Sequence, residues 1–312
     1  MTDTAKQIQE TMREKGNPDA ADSLLRFSCF DPLIGFARDK NDIETYDIWP
    51  QGLRLRKANF IVMALGGSTS TWPRCEWSKN LIPHLKNLYG ATLVFNGGMS
   101  GYGSSQEMLK LLRDAPAVNP NLIVSLSGVN DFGFLHARAT TPLIHRYYNS
   151  VATHLVEGTG AFERASFGLS YKIEPWQHWL RNTRMMRLMA EELGSTYVTF
   201  LQPTLVRGHV TPGAGEQRML AAPEVKRSLS RVPRNYEEEV HYFYDKVQEA
   251  IAAEPEKYSH IIDISDVFEG ESGVYRDYRH QNTRGNKLIA KRMFDEMLAK
   301  GVIVDERSSQ TA

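Results

Sequence analysis

Cysteine is scarce: Cys29 and Cys75 are the only two in 312 residues, too few for a disulfide framework and matching no zinc-ligand spacing. Net charge is absent as well. Thirty-seven Lys and Arg balance 37 Asp and Glu, so the chain lacks the basic field with which nucleic-acid and anionic-membrane binders attract their partners. No apolar run approaches the ~20 residues that span a bilayer. The polar first 25 residues, with Asp3, Lys6, Glu10, Arg13, Glu14 and Lys15, hold no signal-peptide core. These absences predict a cytoplasmic protein, although a chain trimmed of its leader would read the same way. Internal repeats and low-complexity linkers are missing too. What remains is 41% apolar and 24% charged, an ordinary globular composition in a chain long enough for one large core or two smaller ones.

The apolar residues come in short runs. Phe60–Leu65, Thr92–Phe95, Leu122–Leu126, Tyr197–Leu201 and Ile261–Ile264 are β-branched-rich and apolar nearly throughout, as strands covered on both faces should be. Helical periodicity lies between them. Trp179, Thr183, Met186, Ala190 and Leu193 share one face ahead of Gly194, a C-terminal stop. Tyr236, Val240, Phe243, Val247 and Ile251 share another, opened by Glu237, Glu238 and Glu239. Leu288, Ile289, Met293 and Met297 mark the last helix. Alternating strands and helices predict a three-layer α/β/α sandwich around a parallel sheet of about five strands. Ligands of such sheets bind beyond the carboxyl ends of the strands.

The residues just past each strand therefore carry the chemistry. Gly66-Gly67-Ser68-Thr69-Ser70 follows the first run. A serine on a tight strand-to-helix turn can present its hydroxyl above neighbouring N–H groups, although Ser70 stands where a G-x-S-x-G elbow has glycine, and a capped glycine turn fits equally. Asn96-Gly97-Gly98-Met99-Ser100-Gly101-Tyr102-Gly103 follows the second. Its glycines let backbone amides approach an oxyanion. A phosphate cradle or a plain loop are the rivals, and neither G-x-x-x-x-G-K-[ST] nor G-x-G-x-x-G is present. After the third run comes Gly128-Val129-Asn130-Asp131, either an amide donor to developing charge or an Asx turn. Before the last helix stands Asp277-Tyr278-Arg279-His280, where the Asp can orient the imidazole. A metal site at His260 with Asp263 and Asp266 is disfavoured, because Asp263 lies in an apolar strand and no second histidine is near.

Taken in order, serine, glycine, asparagine and Asp-x-x-His resemble the four sequence blocks of the SGNH hydrolases, the GDSL-like esterase superfamily, in its bacterial subgroup with GGST in the first block. Phe30-Asp31-Pro32, Gly35, Gly52-Leu53-Arg54, Leu201-Gln202-Pro203 and Gly285-Asn286 are similar to that subgroup as well. The resemblance covers about residues 27–300, with 132–175 unmatched. Gly67 departs from the Gly-Asp-Ser form, at a position other than the nucleophile. The resemblance implies a flavodoxin-like fold, a triad of Ser68, His280 and Asp277, and an oxyanion hole of the Ser68 and Gly98 N–H groups with the Asn130 amide. It calls for no cofactor and no metal.

The implied activity is hydrolysis of small O-acyl esters, O-acetyl above all, with an acylated carbohydrate as substrate. Neither nucleic acid nor a membrane span enters this reading, and oligomeric state is unreadable. Trp72, Tyr102, Phe132 and Gln202 are candidate substrate contacts, and Trp77 lies close by. An O-acyltransferase on the same triad is the nearest rival. A carbohydrate-binding protein that keeps the fold, and a nucleotide-binding domain, stand further off. Residues 1–58 read as an N-terminal extension packed on a hydrolase-like domain at 59–302, followed by a polar tail at 303–312. Insertions near 133–178 and 204–233 interrupt the domain. The first is a candidate lid. The second carries Arg207, His209, Arg218, Lys226, Arg227, Arg231 and Arg234, a basic excess that could meet an acidic substrate or be a solvated loop.

Overall fold

A computed structural model of the chain describes residues 28–31, 34–38, 48–50, 52–71, 76–132, 173–229 and 233–305. Strands β1 (Ser28–Asp31) and β2 (Gly35–Arg38) form an antiparallel pair apart from the main sheet. That sheet contains β3 (Ile48–Trp49), β4 (Phe60–Gly66), β5 (Thr92–Asn96), β6 (Leu122–Ser127), β7 (Thr196–Leu201) and β8 (Ile261–Asp263), in the order β3-β5-β4-β6-β7-β8. The five apolar runs are its five parallel strands. β3 is an addition to the expected sheet: two residues pair antiparallel with Phe95 and Val94 and close one edge. Residues 133–172 of the candidate lid at 133–178 and the first 27 residues lie outside the described residues, and the end of that candidate segment enters the helix Pro175–Glu192.

Six helices are described: α1 (Glu76–Tyr89), α2 (Ser104–Val118), α3 (Pro175–Glu192), α4 (Ala214–Leu220), α5 (Tyr236–Ala253) and α6 (Thr283–Ala299). From β4 the chain steps one way to β5, then back across β4 to β6 and onward to β8. Right-handed crossovers with a reversed step put their helices on opposite faces. Val62, Ala64, Val94 and Val124 accordingly pack with Trp77 and Leu81 of α1 and with Ile289 and Met293 of α6. Met63, Leu65 and Ile123 pack with Leu111 of α2 and Met186 and Ala190 of α3. Beside them, Trp179 of α3 meets Val240 and Phe243 of α5. Each fully buried Val, Leu, Ile, Phe or Met side chain among these stabilises the fold by ~1.5–3 kcal/mol.

Local signals end the helices where the sequence predicts. α3 closes in a Schellman motif: Ser195 N–H reaches Ala190 O at 2.8 Å, Gly194 N–H reaches Glu191 O at 3.0 Å, and Gly194 takes φ +69°. α5 opens on a reciprocal box in which Glu238 N–H donates to Asn235 Oδ1 and Asn235 N–H to Glu238 Oε2. The reversal of strand order falls between β4 and β6, so the crevice opens where Ser68 and Asn130 begin their loops. No helix among the described residues is long and apolar enough to cross a membrane.

Candidate active site

β4 runs straight into a glycine pair, and each glycine has its own reason. Gly66 adopts φ +144°, which an L side chain rarely does. Gly67 is required by space: a Cβ there would lie 2.1 Å from Asn130 Nδ2 and 2.9 Å from the Tyr102 carbonyl. The departure from Gly-Asp-Ser thus belongs to a site in which Asn130 occupies the room beside residue 67. A 3₁₀ turn, Ser68–Ser70, follows, closed by Ser70 N–H on Gly67 O at 2.9 Å. Ser70 is fully buried and braced by Trp77 Nε1 on its Oγ at 3.1 Å and by Asn96 Nδ2 on its carbonyl at 3.0 Å. Ser68 remains half-exposed at the crevice.

The Asp277–His280 loop meets this turn from far along the chain, His280 standing 212 residues beyond Ser68. His280 Nε2 lies 2.7 Å from Ser68 Oγ, and His280 Nδ1 lies 2.7 Å from Asp277 Oδ2. The other Asp277 oxygen accepts N–H bonds from Arg279 at 2.8 Å and His280 at 2.9 Å. Burial acts to raise the Asp277 carboxyl, but its hydrogen bond to His280, the imidazole's charge and these two amides outweigh burial and lower it to about 2. An ionised Asp277 only accepts, which assigns the proton to His280 Nδ1 and leaves the Nε2 lone pair to take the Ser68 hydroxyl proton.

The loop is held by partners that its own sequence does not reveal. Glu216 of α4 is buried and accepts N–H bonds from Val274 and Gly273 at 3.0 Å and from Tyr275 at 3.3 Å. Burial raises its carboxyl, yet those amides, with Gly213 N–H, hold it below its ordinary range. Thr204 Oγ1 donates to Tyr278 O at 2.9 Å, and Gln281 Nε2 donates to Pro203 O at 3.0 Å. Segment 204–233 therefore supports the histidine loop. Two of its basic residues meet the acidic helix beside it: Arg207 pairs with Asp245 at 2.8 Å and Lys226 with Glu237, while Arg234, just past the segment, pairs with Glu239.

The expected substrate contacts change most. Tyr102 is 1% exposed and Phe132 0% exposed; the Phe132 ring packs 5.5 Å from Phe243 and 5.7 Å from Tyr236. Both rings are core. Gln202 is buried too, with its Oε1 accepting from Thr69 Oγ1 at 3.4 Å, so it braces the Ser68 turn. Trp72 lies outside the described residues.

Gly98 also differs from expectation. Its N–H donates to Asn96 Oδ1 at 3.1 Å, and a Cβ there would come within 2.5 Å of Ser70. It packs the two loops together. Gly101 sits third in a turn closed by Tyr102 N–H on Met99 O at 3.1 Å, with φ +80°, the position of a type II turn that demands glycine. Among the described residues no hydrogen bond engages the N–H of Gly101 or of Ser68. Asn130 Nδ2 donates one proton to the Tyr102 carbonyl at 2.9 Å, which leaves its second. The glycine-rich sequence holds no signal that separates Gly101 from Gly98; the backbone hydrogen bonds do.

Behind Asn130 lies a buried polar network. Asp131 accepts the Ser104 N–H at 3.1 Å and its hydroxyl, which ties the start of α2 to the Asn130 loop. Glu107 accepts the Ser125 hydroxyl, and Asn182 Nδ2 reaches Ser104 Oγ at 2.9 Å. Ser105 Oγ lies 2.7 Å from His178 Nε2. Burial pushes Asp131 up to about 7 and Glu107 up to about 8, and lowers His178 to about 4. No group of three or more His, Cys, Asp or Glu side chains stands together as a metal site among the described residues.

No protein-family model and no curated protein matches the chain. Solved structures with a similar trace include the acetyl xylan esterase AlAXEase (TM-score 0.45, 13% identity, 77% of this chain and 100% of that one). An acetylxylan esterase from Geobacillus stearothermophilus is similar at TM-score 0.46 and 13% identity, over 77% of this chain and 94% of its own. An alpha/beta hydrolase enzyme from the metagenome of Lake Arreo, Spain, is similar at TM-score 0.46 and 11% identity, over 79% and 97%. At these identities, function has to be argued from the side chains themselves.

Proposed function

We propose that the chain is a serine ester hydrolase that removes small acyl groups, acetyl in particular, from a carbohydrate. The observation that carries this reading is the unbroken relay from Asp277 through His280 to Ser68, with 2.7 Å at both junctions. His280 Nε2 takes the hydroxyl proton as Ser68 Oγ attacks the ester carbonyl, and Asp277 stabilises the imidazolium that forms. The Ser68 N–H, the free amide proton of Asn130 and the Gly101 N–H are the donors available to the oxyanion. The Gly98 N–H could join them only by leaving Asn96. His280 then returns the proton to the departing alcohol. Water, deprotonated by the same imidazole, attacks the acyl-serine and releases the acid and the free Ser68 hydroxyl.

Hydrolysis of short chromogenic acyl esters by the wild type and Ser68→Ala tests this directly. Saturable acetyl-ester turnover that falls by ~10³-fold or more in the variant is the expected outcome. Equal rates in the two proteins, or no turnover in the wild type, would remove the esterase reading.

A further inference from the structure

Arg279, the residue just before His280, is a half-buried cation without a carboxylate. Its Nε donates to Tyr236 Oη at 2.9 Å, and its guanidinium carbon stands 4.6 Å from the Tyr236 ring centre and 5.0 Å from that of Tyr278. The two rings meet edge to face at 5.4 Å and hold the guanidinium in one orientation. Neither Nη group donates to any protein acceptor among the described residues, nor is either a buried orphan. Two rows of donors therefore stay open. Asp277 acts on Arg279 through charge alone, and the Asp277 oxygens are already engaged by His280 Nδ1 and two backbone amides. The other cations of this wall, Arg207 and Arg234, have acidic partners.

The location gives the cation a purpose. Tyr236 packs on Phe132, two residues past Asn130, so the Arg279–Tyr236–Phe132 stack joins the loop carrying His280 to the loop carrying Asn130. A planar guanidinium fixed between aromatic faces, with paired N–H groups unoccupied, is suited to bidentate capture of a carboxylate. Resting on the esterase reading above, we infer that Arg279 is an anion receptor of this site, and that the preferred substrate is an O-acyl ester carrying a carboxylate, either on the sugar as a uronate or on the acyl chain as a diacid half-ester. The hydrolytic steps are unchanged; the carboxylate only orients the ester.

Titration calorimetry on Ser68→Ala, which does not consume ester by that serine, tests binding apart from turnover. Three probes serve: methyl glucoside monoacetate, methyl glucuronoside monoacetate and methyl glucoside hemisuccinate. At least one anionic probe is expected to bind about tenfold or more tighter than the neutral one, and which one identifies the source of the carboxylate. In Ser68→Ala/Arg279→Gln the ratio of anionic to neutral affinity should fall to within about threefold, and Arg279→Lys should restore part of it. Using a ratio within each protein cancels differences in folded fraction. Should the Gln variant not fold, the Lys variant and the loss of preference on going from low to high salt decide the matter. Equal affinities for all three probes, binding of none, or a preference untouched by the substitutions would overturn the inference. Wild-type turnover of the neutral acetate, measured alongside, reports on the esterase reading separately.

Discussion

Two clusters of carboxylate, imidazole and hydroxyl lie on either side of the Ser68 turn, and they are tuned in opposite directions. In front, Asp277 has a half-exposed side chain, two backbone N–H donors and a histidine, and its carboxyl is lowered to about 2. Behind, Asp131 and Glu107 are sealed from water and supplied mainly by serine hydroxyls, and burial raises them to about 7 and about 8. The difference lies in depth and in donors. Two amides at 2.8–2.9 Å and an imidazole outweigh the partial burial of Asp277; one amide with a hydroxyl at Asp131, and serine hydroxyls at Glu107, do not outweigh complete burial. The front cluster keeps a negative charge beside His280. The rear cluster keeps its protons and joins β6, α2 and α3 into a rigid mount for Asn130.

The sharpest way to break this contrast is Asp277→Asn. It retains the shape but removes the charge that fixes the His280 tautomer, so kcat should fall by ~10³–10⁴-fold with little change in KM, as read in steady-state assays. A loss below tenfold would mean that the front charge does not steer the proton. Next comes Gly67→Ala. The added Cβ must displace the Asn130 amide 2.1 Å away, and losing one oxyanion donor lowers kcat by ~10²–10³-fold. Full activity in that variant would remove Asn130 from the reaction.

A smaller effect probes the rear cluster. Folded Glu107 holds its proton up to about pH 8, against an ordinary value of 4.5. The folded chain thus binds more protons between those limits. The contribution of Glu107 is fully present below pH 4.5 and is lost as pH rises through 8. Asp131 acts the same way between 3.8 and about 7. His178 and His260, lowered to about 4 and about 3 from 6.5, act oppositely, and their effect fades above pH 6.5 as the unfolded imidazoles lose their protons. The wild-type Tm should therefore decline from pH 6.5 to 8.5. In Glu107→Gln that decline should be shallower, by calorimetry across the series. A wild-type Tm that stays level or rises there would contradict the assignment of these protons.

The sequence made the front cluster legible and left the rear one dark, for physical reasons. Strands such as Phe60–Gly66 are apolar on both faces, so their ends, and hence Ser68 and Asn130, could be located by pattern alone. Asp277 and His280 lie three residues apart, close enough for spacing to pair them. Glu216, by contrast, reaches a loop 57 residues onward, and its partners are backbone amides with no sequence signature. Arg207, Lys226 and Arg234 looked available because their acids, Asp245, Glu237 and Glu239, belong to the next helix. Tyr102 and Phe132 show the same limit: adjacency to a site loop does not say which way a ring turns. β3 escaped notice because two residues carry no periodicity.

The account stands on Ser68 being a nucleophile that His280 deprotonates, and covalent trapping measures that most directly. Intact-mass and peptide analysis after reaction with a fluorophosphonate should find one adduct, on Ser68, absent from Ser68→Ala and formed far more slowly in His280→Ala. An unmodified protein, or an adduct on another residue with Ser68 untouched, would contradict the central claim.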